Sequence, residues 1–246
     1  MQIGSTKKTL FQLNQTNKDL NKTLQQLTSG KRINSAGDDP AGLALASALT
    51  SAVNELTATN KNLSYESSAL QTASGALSGI SENLQQLRDL AVQASNGTLN
   101  ENDRANLQNQ YDQVLQSIDS TVSQTNFNGN DLGLGAASTS ALGVNVTGIS
   151  TQSSAQDALE SIDNAINQVN AQQANIGASQ NANDFAQNAN AVQSENLLAA
   201  KSQAEDADLA ETTSDLAKLS VQRESQIQTL RTQLSLQKQL ADKLFG

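Results

Sequence analysis

Side-chain chemistry usually starts from histidine, cysteine or clustered carboxylates, and this sequence offers only the last. Among its 246 residues there is no His and no Cys. That excludes Cys/His zinc sites, haem on a His or Cys ligand, redox dithiols, disulfides, the Ser-His-Asp triad and His-Glu metalloprotease helices. Two acidic groupings remain. Asp38-Asp39 stand directly before the only proline, Pro40. The pair reads either as a metal or acid–base site or as a helix cap with proline in the first turn, and no third ligand cluster lies nearby to favour the former. Glu205, Asp206 and Asp208 stand close together and could hold a cation, or form a solvated or intersubunit-paired face. Arg32 and Arg88 are candidate partners for such acids across a subunit boundary. Hydrolysis by carboxylates alone would need a concave site that the pattern does not offer. No catalytic residue, metal site or cofactor is therefore expected.

Composition narrows the class further. With 24 acidic against 15 basic residues the net charge is −9, which leaves no surplus to neutralise phosphates, so no nucleic acid is expected as a partner. No run approaches the ~20 apolar residues of a membrane span, so no membrane insertion is expected. The start, MQIGSTKKTLFQLNQ, carries two lysines but no apolar core, so a cleaved signal peptide is not expected and export would need another route. Aromatic residues are 2% of the chain and proline occurs once, which argues against a β-sandwich or barrel. The apolar fraction of 37%, much of it Ala, is thin for a compact core. The expected fold is all-α: an elongated antiparallel helical bundle or coiled coil with a small β-hairpin region.

The periodicity places the elements. In residues 4–29, Leu13, Leu20 and Leu27 fall seven apart, and Leu10 and Leu24 mark a second seam position with Asn17 between them. Residues 28–42 contain three glycines and Pro40, and read as a break. From residue 43 to about 96, Leu49, Leu56, Leu63, Leu70, Leu77 and Leu84 recur without exception every seven positions. Such a run predicts one helix roughly 80 Å long. After Asn96-Gly97 a shorter helix carries Leu107, Tyr111, Val114, Ile118 and Val122. Residues 126–154 turn Gly-, Ser- and Asn-rich, and LGVNVTGI alternates, which reads as a small hairpin or turn region. Leu159, Ile162, Ile166, Val169 and Ile176 begin another long helix, with a weakly packed Asn/Ala-rich stretch at 180–193. A final seam contains Leu216, Ile227, Leu230, Leu234 and Leu244.

The two ends have little core of their own. A fully buried Leu contributes ~1.5–3 kcal/mol, whereas ordering each residue costs ~1–2 kcal/mol. Seam positions are under a third of either segment, so the balance is near zero. The ends are expected to be disordered or weakly ordered in a free chain, and to order where further copies bury the same stripes.

Residues 27–51, LTSGKRINSAGDDPAGLALASALTS, closely resemble the N-terminal signature of bacterial flagellins. The resemblance continues in order through LQQLRDLAVQASNGT, TNFNG, LGVNVTGISTQSSAQDALESIDNAINQVNAQQANIGASQN and ENLLAAKSQAEDADLAE. It implies a structural subunit of the extracellular flagellar filament, used in swimming. Residues 1–42 and 208–246 would pair as an inner domain, and 43–207 would form a rod domain with a hairpin near 126–154. The resemblance further implies a homo-oligomer of many copies, unfolded type III export, and contacts with an export chaperone, cap and hook-junction proteins. The variable outer domain of many flagellins would be absent. A hook–filament junction protein and a non-filamentous surface coiled-coil adhesin are the alternatives. The chain departs from the family pattern after Glu211, where Lys218, Arg223, Arg231, Lys238 and Lys243 stand out. It departs also in the region sensed by the innate immune receptor for flagellin. There Gln86, Leu90 and Gln110 stand at the matching Arg, Leu and Glu positions, so weak activation is expected.

Overall fold

The computed structural model describes residues 2–144 and 148–245. The chain folds as helices α1 (Gln2–Ser29), α2 (Pro40–Ala94), α3 (Glu101–Gln124), α4 (Gln152–Glu205) and α5 (Leu209–Phe245). A two-stranded antiparallel hairpin, β1 (Asn126–Phe127) with β2 (Asn130–Asp131), and a 3-10 turn at Leu134–Ala137 lie between α3 and α4. The fold is thus helical with one small hairpin, as the periodicity predicts. The hairpin among the described residues lies at TNFNGND: Asn128 and Gly129 turn with φ of 53° and 79°, the left-handed pair that suits a tight hairpin. Leu142, Val144 and Ile149 of the expected strand are instead buried loop residues, and residues 145–147 lie outside the described part.

Helices α2, α3, α4 and α5 start where a side chain satisfies the first free amides. Asp39 accepts from the Gly42 amide at 2.9 Å, and Pro40 follows as the first helical residue. A Cβ added at Gly42 would stand 2.5 Å from Ile33 Cδ1 and 2.6 Å from Asp39 Oδ2, so one of these side chains would have to move. Asn100 and Asp103 form a reciprocal capping box on α3. Thr151 and Ser154 do the same for α4, and Asp208 accepts from the Ala210 and Glu211 amides to start α5.

The chain packs as two units, one made of residues 1–56 and 192–246, the other of residues 57–191. The division falls inside α2 and α4 rather than at the helix breaks. The second unit owns the hydrophobic core. Leu77, Ile80, Leu84 and Leu87 of α2, Tyr111 and Ile118 of α3, and Ile162 and Val169 of α4 are fully enclosed there. Of the heptad leucines only Leu77 and Leu84 are buried, because α3 and the loop cover α2 at that height. Leu63 and Leu70 of this unit, and Leu49 and Leu56 of the first, are half-buried. Two polar clamps hold the α3–α4 connection and a third holds the α2–α3 turn. Asp119 accepts from the Thr139 amide and hydroxyl, Gln108 accepts from the Ile149 amide, and Arg104 donates to the Ala94 and Asn96 carbonyls that end α2.

Candidate assembly surface

The first unit is organised around α1 and α5, which run antiparallel. Gln237 donates to the Thr6 hydroxyl at 3.2 Å, and the Thr9 hydroxyl donates to Gln233 Oε1 at 3.4 Å. At the far end an isolated antiparallel bridge joins Lys31 to Asp206, and the Ala207 amide donates to the Gly30 carbonyl. These contacts fix the register. The inward row of α1 reads Thr6, Thr9, Leu13, Thr16, Leu20, Thr23, Leu27, with every threonine buried. The inward row of α5 reads Thr212, Leu216, Leu219, Arg223, Gln226, Leu230, Gln233, Gln237. Continuing that register pairs Leu13 with Leu230 and Leu27 with Leu216, but Thr16 with Gln226 and Leu20 with Arg223. Two atoms in these polar layers, Arg223 Nε and Gln226 Oε1, are buried with no hydrogen-bond partner among the described residues.

The second seam position of α1 is therefore one residue off the expectation. Leu10 and Leu24 are 43% and 40% exposed, and Thr9, Thr16 and Thr23 take the inward place. The three leucines at 13, 20 and 27 fit either reading, and a threonine row is invisible to a search for leucines. Leu234 is likewise outside the seam, 51% exposed, while Ile227 is half-buried. Leu13, Leu20, Leu27, Leu216 and Leu230 are half-buried on the seam itself, and the side chain of Leu244 lies outside the described part. In an antiparallel coiled coil the residues just after each second seam position share one side. That side here presents Leu10, Asn17 and Leu24 from α1 with Ser220, Ile227 and Leu234 from α5. Four of these six residues are apolar and none is charged. On the other side Ser5 and Leu236 flank a shallow hollow, as the same register requires.

The acidic groups are structural or solvated. Asp38 accepts from the Asn34 and Ser35 amides and the Ser35 hydroxyl, and pairs with Lys22 at 2.9 Å. Lys22, and then Ser35, hold its carboxyl down at about 2. Asp39 is the cap. Glu205 is buried and pairs with Lys31 at 2.5 Å and with Lys201 at 3.9 Å. Among the described residues no group of carboxylates is arranged to hold a metal ion. The two arginines are used within the chain. Arg32 donates to the Ala204 carbonyl, and Arg88 pairs with Asp163 at 2.8 Å, an acid not in the expected cluster. In the second unit Gln86 and Gln110 are exposed, but Leu90 is only 6% exposed and belongs to the core. Its side chain therefore packs inward, so it does not belong among surface residues open to a receptor.

The family model described as "Bacterial flagellin N-terminal helical region" matches residues 3–138, more than half of the chain. The "Bacterial flagellin C-terminal helical region" matches residues 159–241. The chain belongs to the bacterial flagellin family. Only residues 139–158 separate the two matched regions, so this flagellin has no outer domain inserted there. A phase 1 flagellin of Salmonella naestved is 44% identical over 117 residues, covering 48% of this chain and 23% of that one. A flagellin of Salmonella dublin matches with the same figures. The match thus spans under a quarter of the length of these relatives. Among solved structures, Bacillus cereus flagellin aligns over 52% of this chain and 88% of its own with a TM-score of 0.49 and 30% identity. A chain proposed to be a flagellar hook-associated protein of Vibrio parahaemolyticus aligns over 69% of this chain and all of its own, with a TM-score of 0.52 and 17% identity, a likeness of fold alone. Among the described residues no helix is long and apolar enough to cross a membrane.

Proposed function

We propose that this flagellin is a structural subunit that self-assembles into the extracellular flagellar filament used for swimming, and that the α1·α5 pair is the part that copies share. One observation carries the reading. The pair keeps threonine, glutamine and arginine inside its seam and leaves Leu10, Leu24 and Leu234 outside on one uncharged side. A coiled coil built this way gains by packing that side against more helix. The inner domain of residues 1–42 and 208–246 would then complete its core only among neighbours. Residues 43–207, with the rod leucines Leu49, Leu56, Leu63, Leu70, Leu77 and Leu84, would fold within each copy.

Function is then mechanical, from many identical contacts, and needs no cofactor or catalysis. By the same family likeness the partners are an export chaperone, a cap and hook-junction proteins. Secretion would be through the flagellar export route without a cleaved signal peptide. Gln86 and Gln110, in place of the Arg and Glu of the activating pattern, would make innate receptor activation weak. A reporter-cell response equal to that of a strongly activating flagellin would overturn that point.

Electron microscopy of the concentrated protein, with and without sheared filament seeds, tests the main proposal. Long uniform tubes are expected, and deleting residues 1–30 or 220–246 should abolish them. Monomers or short caps alone, even with seeds, would instead support a junction protein.

A further inference from the structure

The turn between α2 and α3 contains Asn96-Gly97, one of two Asn-Gly pairs in the sequence. Asn96, Gly97 and Thr98 are exposed, so water reaches all three. The side-chain oxygen of Asn96 accepts from the Thr98 amide at 3.1 Å and from the Thr98 hydroxyl at 2.9 Å. Its main-chain oxygen accepts from Arg104 Nη1 at 3.2 Å and from the Leu99 amide at 3.3 Å. Further bonds to the Ala94 and Leu99 carbonyls hold the guanidinium in place. Among the described residues, Asn96 Nδ2 and the Gly97 amide have no hydrogen-bond partner.

Part of this arrangement is structural. Asn96 makes a side-chain turn with Thr98, and Arg104 closes the end of α2. The same four donors, however, converge on the two oxygens that gain negative charge when an Asn-Gly peptide attacks itself. We propose that Asn96-Gly97 is a self-modification site, which the folded turn converts to aspartate and isoaspartate. The Gly97 N–H gives its proton to hydroxide, and the nitrogen attacks Asn96 Cγ. The bond from Cγ to Nδ2 then breaks, and Nδ2 leaves as ammonia with a proton from water. The product is a cyclic succinimide. Water adds to one of its two carbonyls. Breaking the bond from nitrogen to Cγ gives aspartate in the normal main chain. Breaking the other gives isoaspartate, whose main chain runs through Cβ and Cγ. In sum an amide and water become a carboxylic acid and ammonia, so no oxidant or cofactor is needed.

Each donor has a place in that sequence. The anion left when the Gly97 N–H ionises spreads onto the peptide oxygen, where the fixed cation of Arg104 and the Leu99 amide stabilise it. The two Thr98 donors stabilise the oxyanion that forms on Oδ1 during the attack. Gly97 has no side chain to cover its nitrogen, and the reacting atoms belong to neighbouring residues, so no encounter is required. The other pair, Asn128-Gly129, lacks these aids. Asn128 occupies the hairpin turn with φ of 53°, and among the described residues no donor reaches its side chain and no side chain donates to its peptide oxygen. At Asn96 either product sets a carboxylate beside Arg104, and isoaspartate also lengthens the main chain by a methylene just before the Asn100 cap of α3.

The two pairs serve as an internal comparison. The full chain is incubated at neutral pH, folded and, in parallel, unfolded in urea. Peptide mapping by mass spectrometry follows the amide-to-acid change and the isoaspartate content at each Asn, and circular dichroism confirms the folded state. In the folded chain Asn96 is expected to convert at least about tenfold faster than Asn128, a lower bound set by an exposed rather than enclosed oxyanion site. In urea the two rates should draw together, because the donors are gone. Arg104→Gln should slow Asn96 at least about tenfold, and Thr98→Val, an exposed substitution of similar shape, should slow it by less. Asn128 should be unchanged in both. The direction is decisive, since a turn merely loosened by losing Arg104 would convert faster. Equal rates at the two pairs in the folded chain would overturn the proposal. So would a preference for Asn96 that persists in urea, or a rate there that Arg104→Gln leaves unchanged or raises.

Discussion

Replacing Arg223 and Gln226 together by leucine should stabilise the α1·α5 pair. Both side chains are half-buried on the seam, and each holds one enclosed atom, Nε or Oε1, with no hydrogen-bond partner among the described residues. An unsatisfied buried donor or acceptor costs ~1–3 kcal/mol. Arg223 is only half-buried, so the lower half of that range applies to it. Leucine at both places removes the two deficits and adds apolar area beside Leu20, the register's partner for Arg223. The expected net gain is ~2–4 kcal/mol.

Amide hydrogen exchange reads this locally, where a global melt would mix it with the second unit. At ~1.4 kcal/mol per tenfold, protection of amides in α1 and α5 should rise by roughly 30- to 700-fold, with the second unit unchanged. Gln233→Leu is the control. Its Oε1 already accepts from Thr9, and that hydroxyl has a second acceptor in the Ser5 carbonyl, so the gain there should be small. Unchanged or faster exchange in the double variant would refute the assignment of Arg223 and Gln226 to an underpaired seam.

Three further outcomes are expected. Gly42→Ala should destabilise the first unit by ~1–3 kcal/mol in a chemical denaturation curve, because the new Cβ forces Ile33 or the capping Asp39 aside. Asp38 has a depressed carboxyl pKa, about 2 against 3.8, so its contribution is present above pH 4 and is lost as the pH falls through 2. Carboxyl titration by NMR should show that midpoint, and Asp38→Asn should remove the acid-dependent part of the loop's stability. Burial pushes the Tyr111 hydroxyl up to about 12 from 10, so its contribution holds below pH 10 and is lost as the pH rises through 12. Phenolate absorbance should appear with alkaline unfolding, and Tyr111→Phe should unfold later on the alkaline side.

Periodicity was legible where leucines carry it and misleading where they do not. Leu77, Leu84 and the row of Ala73, Ile80, Leu87 and Ala94 lie in the core because both rows of α2 are apolar. In α1 the same search selects Leu10 and Leu24, since the true second row is threonine, a residue that ordinarily signals a surface. Thr23 donates back to the Asp19 carbonyl and Thr9 to Ser5, which satisfies each hydroxyl locally and lets it sit inside a helix pair. The cap at Asp39 was readable because proline and acid occur together, whereas the clamp from Gln108 to Ile149 spans 41 positions and leaves no local trace. Arg88 could be placed on a face but not paired, because its partner Asp163 lies on another helix 75 positions away.

The contrast between the two units bears on how a subunit can be both stable and reversible in its contacts. The second unit encloses Leu77, Leu84, Tyr111 and Ile162 completely, so its stability needs no neighbour. The first unit encloses four threonines of α1 and leaves Leu10, Leu24, Leu234 and Leu236 in solvent. Had those leucines faced inward, the pair would be self-sufficient and would offer other copies only polar surface. Had the seam been leucine throughout with the outer leucines retained, a lone chain would carry a stable apolar face that associates without regard to register. A polar seam with apolar flanks avoids both outcomes, because helix order and association then depend on each other. On that argument the R223L/Q226L chain, though more ordered alone, should assemble less selectively, and shorter or irregular polymers beside those of the parent would be its mark.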